Sequence, residues 1–91
     1  MKLSDELQIP AEVVARRVGD ETVLLHLPSG TYFSLDAVGA RVWELLGAGR
    51  TLADACDVML DEFEVSREQL EADVLKLAEE LAAHNLVTLL A

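Results

Sequence analysis

The hydrophobic pattern changes its period once, near Asp36, and this change restricts the chain to a sheet followed by helices. Before Asp36, short segments rich in β-branched or alternating apolar residues are separated by turn sequences at Gly19-Asp20 and Pro28-Ser29-Gly30. Such segments predict three antiparallel strands joined as a meander. They lie at residues 12–18, 21–27 and 30–35. In the second strand the alternation puts Val23, Leu25 and Leu27 on one face.

After Asp36 the apolar residues recur at helical spacing, and three helices are predicted. Asp36, Thr51 and Ser66 are suited to cap the three N-termini, and Gly47 or Gly49 ends the first helix. The expected core stripes are Val38, Val42, Leu45 and Leu46 in the first helix, Leu52, Cys56, Met59 and Phe63 in the second, and Leu70, Val74, Leu77 and Leu81 in the third. The segment Leu86–Leu90 is either a fourth strand or a packed tail. The predicted fold class is therefore α+β.

Length and charge narrow the classes of function. The 91 residues suffice for one small domain, and with no linker or repeat we expect a single domain over residues 1–91. The net charge of −10 opposes binding to nucleic acid or to an anionic membrane. A single cysteine, Cys56, allows no internal disulfide, which favours the reducing cytoplasm. The N-terminus lacks a signal-peptide pattern, and no apolar run approaches the length of about 18 residues that a membrane span needs.

Residues with the chemistry of catalysis or metal binding are few and scattered. His26 and His84 are far apart in sequence, and no carboxylate spacing near them suggests a metal site. Cys56 lies on a core stripe, where an inert buried thiol is expected. The segment Gly47-Ala48-Gly49 lacks the Lys-Ser/Thr pair of a phosphate-binding loop. We therefore expect no catalytic residue, no metal and no cofactor, and we do not expect an enzyme.

The third predicted strand is unusual for an edge. In a three-stranded meander the first and third strands are both edges, which proteins usually protect with charged residues. The first strand carries Glu12, Arg16 and Arg17, whereas the third, residues 31–35, carries no charge and contains Tyr32 and Phe33. Two explanations stay open. Either a helix or the C-terminal tail covers this edge, or a peptide pairs with it by strand addition.

At these same residues the sequence resembles the PqqD-like proteins. The resemblance begins with Gly30-Thr31-Tyr32-Phe33-Ser34-Leu35-Asp36 and covers roughly residues 12–90. It continues through Gly39, Val42-Trp43, Leu45-Leu46, Gly49, Thr51, Asp73-Val74, Leu77, Leu81 and Asn85-Leu86-Val87. Asp36 stands where the family often has Asn, and since either residue can cap a helix the departure changes little.

The resemblance implies a fold and a function. Members of this family have a three-stranded sheet followed by three helices, similar to a winged helix-turn-helix. They are recognition elements for ribosomally made, modified peptides: the leader segment of the precursor docks as an extra strand on the third strand, beside the third helix. They do no chemistry themselves. This chain looks most like the standalone proteins of lasso-peptide clusters, which implies a cysteine-protease-like leader peptidase as partner, followed by a macrocyclase. The alternative within the family is the pyrroloquinoline quinone pathway, whose partner is a radical enzyme.

The expected peptide-binding residues combine the third strand with one side of the third helix. The sequence does not say which flank of that helix borders the strand, but the resemblance favours the Asp73 flank. The set is Thr31, Tyr32, Phe33, Ser34, Leu35, Gln69, Leu70, Asp73, Val74, Lys76, Leu77 and Glu80.

The residues disfavour two further classes of function and leave a third open. DNA binding is disfavoured because Leu52–Phe63 contains no Lys or Arg. An acyl carrier needs a serine that opens a helix, whereas Ser34 lies in a strand. An interaction module outside peptide modification, such as an antitoxin, remains the other alternative.

Overall fold

The computed structural model describes residues 1–90, and its elements follow the predicted order with one short strand added at each end. These elements are β1 (Leu7–Gln8), β2 (Val13–Val18), β3 (Glu21–His26), β4 (Thr31–Leu35), α1 (Ala37–Gly47), α2 (Leu52–Leu60), α3 (Arg67–Ala83) and β5 (Thr88–Leu89). The three predicted strands are β2, β3 and β4, which form one antiparallel sheet in that order. The predicted α+β fold is confirmed.

Glycines in the two turns allow the three strands to pair as a meander. Val18 pairs with Glu21, so β2 and β3 are joined by a two-residue turn in which Gly19 has a φ of 63°. Gly30, with a φ of 69°, ends the longer turn before β4. Glycine adopts this left-handed conformation without the steric cost that a Cβ atom imposes.

The three helices begin at the predicted caps. Asp36 Oδ1 accepts a hydrogen bond from the Gly39 N–H at 2.8 Å, and Thr51 and Ser66 accept in the same way at the starts of α2 and α3. A side-chain acceptor at this position satisfies one of the amides that the first helical turn leaves unpaired. Gly39 fits closely against the cap, because a Cβ there would lie 3.3 Å from both Asp36 Oδ1 and the Leu35 side chain.

The core lies among the three helices, and α1 packs it against the inner face of the sheet. Its buried apolar residues are Leu7, Leu24, Leu35, Ala40, Val42, Trp43, Leu45, Leu46, Leu52, Ala55, Cys56, Met59, Leu70, Val74, Ala78, Leu81, Leu86 and Val87. The predicted stripes are largely found here, with three exceptions. Val38 is exposed, Phe63 lies beyond the end of α2 and is half-buried, and Ala78 occupies the core position expected for Leu77.

The buried face of the sheet is opposite to the one on which the alternation placed Val23, Leu25 and Leu27. Val23 and Leu25 do share a face, but they point away from the helices and are only half-buried, and the nearby Leu27 is 55% exposed. The buried residue of β3 is Leu24, which pairs with Phe33. The helices therefore cover the face that carries Leu24, Phe33 and Leu35.

The C-terminal segment forms a strand, which settles one of the alternatives left by the sequence. Leu89 pairs with Leu7 and Thr88 with Gln8, so β5 joins β1 in a separate two-stranded sheet. No pattern in the sequence predicts β1, which has only two residues. No helix within residues 1–90 has the length and apolar content to cross a bilayer.

Two arginines tie the helices together on the surface. Arg41 on α1 donates to both carboxylate oxygens of Glu62 at 2.8 Å, which anchors the segment after α2. These hydrogen bonds lower the pKa of Glu62. Arg67 bridges Asp57 on α2 and Glu71 on α3 at 2.6 and 2.7 Å. Both arginines are therefore held in ion pairs with carboxylates of the same chain.

Candidate functional site

The β4 edge of the larger sheet is open. β4 pairs with β3 on one side, and within residues 1–90 no strand pairs with its other side. The C-terminal strand β5, which was one candidate to cover this edge, pairs with β1 instead. The edge of β4 therefore keeps unpaired backbone groups, which is the arrangement that strand addition requires.

The hydrogen-bond pattern identifies which residues of β4 face outward. The Leu27 N–H donates to the Glu12 carbonyl at 3.0 Å, so the odd-numbered residues of β3 direct their backbone groups toward β2. The His26 carbonyl accepts from the Gly30 N–H at 2.8 Å, on the side of β4. Because this direction alternates along a strand, the residues of β3 that bond to β4 are Thr22, Leu24 and His26.

Their partners on β4 are Leu35, Phe33 and Thr31. The alternation leaves the two remaining residues, Tyr32 and Ser34, with their N–H and C=O groups directed toward the open edge. A peptide that adds to β4 therefore bonds to the backbone of these two residues.

A groove of about 510 Å³ lies beside the open edge, between β4 and α3. It is lined by Glu21, Phe33, Ser34, Leu35, Asp36, Val38, Gly39, Asp73, Leu77 and Glu80. The helix residues in this set lie on the Asp73 flank of α3. Strand edge and groove thus form one continuous surface that offers backbone partners on one side and side-chain contacts on the other.

The middle of the groove is apolar. Phe33 is half-buried on the inner face of β4, and Leu77 is half-buried opposite it on α3. The ring centroid of Phe33 lies 5.4 Å from that of His84, with the planes tilted by 59°. His84 is in turn held at the end of α3, where its Nδ1 donates to the Glu80 carbonyl at 2.8 Å. The end of α3 therefore fixes the position of the Phe33 ring.

Carboxylates surround this apolar middle. Glu21, Asp36, Asp73 and Glu80 all line the groove, and none of them takes part in the ion pairs found within residues 1–90. Asp73 Oδ1 accepts a hydrogen bond from Gln69 Nε2 at 2.9 Å, which orients its carboxylate. The groove is consequently acidic at its rim and apolar at its floor.

The structure brings together half of the residues expected from the sequence. Six of the twelve line the groove: Phe33, Ser34, Leu35, Asp73, Leu77 and Glu80.

The other six have different positions. The hydroxyl of Thr31 lies 3.0 Å from Ser29 Oγ in the preceding turn. Tyr32 directs its backbone to the open edge, but its side chain lies on the outer face of the sheet, where the residue is 69% exposed. Gln69 supports Asp73, and Lys76 is exposed on α3 outside the groove lining. Leu70 and Val74 are buried in the core at 2% and 1% exposure and do not line the groove.

Sequence reasoning missed four lining residues: Glu21, Asp36, Val38 and Gly39. Asp36 and Gly39 belong to the quoted family pattern, and Asp36 was considered only as a helix cap. Glu21 reaches the groove because its neighbour Thr22 pairs with Leu35, a register that the sequence does not display.

The single cysteine does not line the groove. Cys56 is fully buried on α2, and burial raises the pKa of its thiol. The reactive thiolate is therefore disfavoured. Within residues 1–90 no group of three or more His, Cys, Asp or Glu side chains is arranged to hold a metal ion.

Comparison with known proteins gives one family and two similar structures. The family described as Coenzyme PQQ synthesis protein D (PqqD) matches residues 21–87. The structure described as "TbiB1 in Complex with the TbiA(beta) Leader Peptide" is 40% identical with a TM-score of 0.85, covering 92% of this chain and 98% of that chain.

A second structure, "Lasso peptide synthetase B1 complexed with the leader peptide", is 26% identical with a TM-score of 0.84, covering 91% of this chain and 98% of that chain. No curated protein matches the sequence. The family match spans β3, β4 and all three helices, and so includes both walls of the groove. The resemblance seen in the sequence is confirmed, and the chain belongs to the PqqD family.

Proposed function

We propose that this chain binds the leader segment of a ribosomally made precursor peptide in lasso-peptide biosynthesis, and that the leader adds as a strand to β4 beside α3. The observation that carries the proposal is the open edge of β4, whose outward-facing groups at Tyr32 and Ser34 adjoin the groove. The two similar structures, both described as complexes with a leader peptide, support it.

The backbone and the side chains of the site have separate roles in this proposal. Backbone hydrogen bonds along β4 fix the register of the leader but discriminate little between sequences. Side chains of an added strand alternate in direction, so those next to Phe33 and Leu35 point into the groove. Discrimination then comes from the floor at Phe33 and Leu77 and from the surrounding carboxylates.

The proposed role is delivery of the leader rather than catalysis. The chain acts as one peptide-recognition domain that presents the leader to a separate, cysteine-protease-like peptidase, with a macrocyclase acting afterwards. Its proposed compartment is the cytoplasm, in line with the unpaired, buried Cys56.

A cleavage assay tests delivery. The purified chain is expected to leave the precursor peptide intact, and to raise the rate of leader removal several-fold when added to the partner peptidase. The measurement is the appearance of the cleaved core peptide by mass spectrometry. Robust cleavage by the chain alone, or a peptidase rate that the chain does not change, contradicts this role.

Apolar contact is expected to contribute more to leader binding than charge. Burying an aliphatic or aromatic leader side chain contributes about 1.5–3 kcal/mol, whereas an exposed ion pair contributes about 0–1 kcal/mol. Leu77→Ala should therefore weaken binding about tenfold or more, and Asp73→Asn less than about fivefold. The measurement is a titration of the fluorescently labelled leader.

Leu75→Ala is the matched control for this comparison, because Leu75 is also half-buried on α3 but does not line the groove. It should leave binding unchanged. Raising salt from low to physiological levels should weaken binding only a few-fold, since screening acts mainly on exposed charges. A hundredfold loss on that salt step would show that charge dominates.

The pyrroloquinoline quinone pathway is the second candidate, because the matched family is described by that pathway. The 40% identity to the TbiB1 protein favours the lasso-peptide assignment. Competition between the TbiA(beta) leader and a pyrroloquinoline quinone precursor peptide for the chain distinguishes them. Preferential displacement by the quinone precursor would reverse the assignment.

A further inference from the structure

We infer that the groove selects an extended segment in which an apolar side chain is flanked by Lys or Arg two residues away on each side. This inference rests on the proposed function and specifies the leader chemistry that the groove recognises. Three observations carry it: the alternation imposed by the edge of β4, the order of side chains along α3, and the sign of every charge on the groove wall.

The strand edge determines which peptide side chains enter the groove. A peptide bonded to Tyr32 and Ser34 continues the pleat of the sheet, so every second side chain points to the face that carries Phe33 and Leu35. Side chains that enter the groove are therefore at positions i, i+2 and i+4. The outer positions of this set are about 13 Å apart in an extended chain.

The helix offers a matching row. Asp73, Leu77 and Glu80 all line the groove and follow one another at helical spacing on one face of α3. The two carboxylates are separated by about 10.5 Å along the helix axis, with Leu77 between them. A Lys or Arg side chain is long and flexible enough to span the difference of about 3 Å between the two spacings. The pattern is symmetric, so it holds for either direction of the peptide.

The strand side adds carboxylates at one end of the groove. At one end of the groove, Glu21 and Asp36 lie beside Leu35, because Thr22 pairs with Leu35 and Asp36 follows it. At the other end, Glu80 lies one helical turn from His84, which packs against Phe33. The apolar middle therefore has carboxylates on both sides.

No ion pair within residues 1–90 engages the charges on this wall. All four ionisable lining residues are acidic, and none of the lysines and arginines in that range lines the groove. Arg41 and Arg67 are held in ion pairs elsewhere on the described chain. A leader with cations at the flanking positions supplies the missing charge, whereas an acidic leader meets like charges at both ends.

The test is selection of random twelve-residue peptides by display against the full chain. Peptides bound at β4 are identified by their loss against Ser34→Pro. The expected result is enrichment of Lys or Arg two residues before and after a large apolar residue. Replacing either cation with Gln in a selected synthetic peptide should lower affinity about two- to fivefold at low salt, as expected for partly exposed charges.

Two matched variants locate the effect on the protein. Asp73→Asn and Glu80→Gln should reduce the difference between the cationic and Gln peptides, whereas Glu79→Gln should preserve it, because Glu79 is exposed on α3 but does not line the groove. All three substitutions remove one charge without changing side-chain volume appreciably.

The outcomes separate this inference from the function on which it rests. If selected peptides depend on Ser34 but show no cation at the flanking positions, the inference is wrong and strand addition stands. If no selected peptide depends on Ser34, strand addition itself fails. If Glu79→Gln reduces the cation preference as much as Glu80→Gln does, the effect comes from overall charge and the inference also fails.

Discussion

Replacing Ser34 with proline is expected to weaken leader binding at least about tenfold while the fold is kept. The Ser34 N–H faces the open edge, so proline removes the donor that the proposed strand addition requires and places its ring where the added strand would lie. One backbone hydrogen bond contributes a net 0.5–1.5 kcal/mol, roughly 2- to 13-fold in affinity, and the steric conflict adds to this loss. The measurement is a titration of labelled leader against the variant.

Two companion substitutions make this result specific to the backbone. Ser34→Ala keeps the amide and should bind within about twofold of the parent. Phe33→Pro removes an amide that belongs to the β3–β4 ladder, because Phe33 pairs with Leu24, and should instead destabilise the sheet. Unimpaired binding by folded Ser34→Pro would exclude strand addition at β4. Circular dichroism reports the fold of each variant.

Truncating Leu24 to alanine is expected to lower the free energy of unfolding by about 2–5 kcal/mol, since it opens a cavity in the core. Leu24 is fully buried against the helices and is the only fully buried residue of β3. For a domain of this size such a loss is a large part of the total stability. Urea denaturation with an unchanged m-value measures it.

The neighbouring leucine is the control. Leu25→Ala makes the same truncation one residue along β3, on the half-buried outer face, and should cost about 1 kcal/mol or less. Equal losses for the two variants would mean that both faces of the sheet are covered in solution.

This pair of leucines also shows what the sequence can predict about the sheet. Alternation identified that Val23 and Leu25 share a face, and the structure agrees. It does not say which face the helices cover, because β3 carries apolar residues on both faces. That choice depends on α1 packing against β3 and β4, which brings together residues distant in sequence.

Local signals were the reliable ones. The caps at Asp36, Thr51 and Ser66 depend on a side chain bonding to an amide three residues away, and all three formed. The turn at Gly19 and the three strands around it depend on similarly short-range chemistry.

The remaining features of the fold and site could not be predicted because they depend on contacts between residues distant in sequence. Strand β1 is two residues long and forms only because Leu7 meets Leu89 from the other end of the chain. In the site, Phe33, Asp73, Leu77 and Glu80 were expected from the resemblance, whereas Glu21 enters through the β3–β4 register alone. The helical spacing predicted Leu77 as a core residue. In the structure the smaller Ala78 faces the core instead, and Leu77 lies in the groove.

The shortness of β4 has a kinetic consequence. Tyr32 and Ser34 each offer one N–H and one C=O, so the backbone of a docked peptide is held at only two residues of the strand. Affinities of related complexes differ mainly in their dissociation rates, and a ladder this brief adds little to residence time. The lifetime of the complex is then governed by the few leader side chains that enter the groove. We therefore expect the docked peptide to be released readily, so that one copy can bind many peptides in succession.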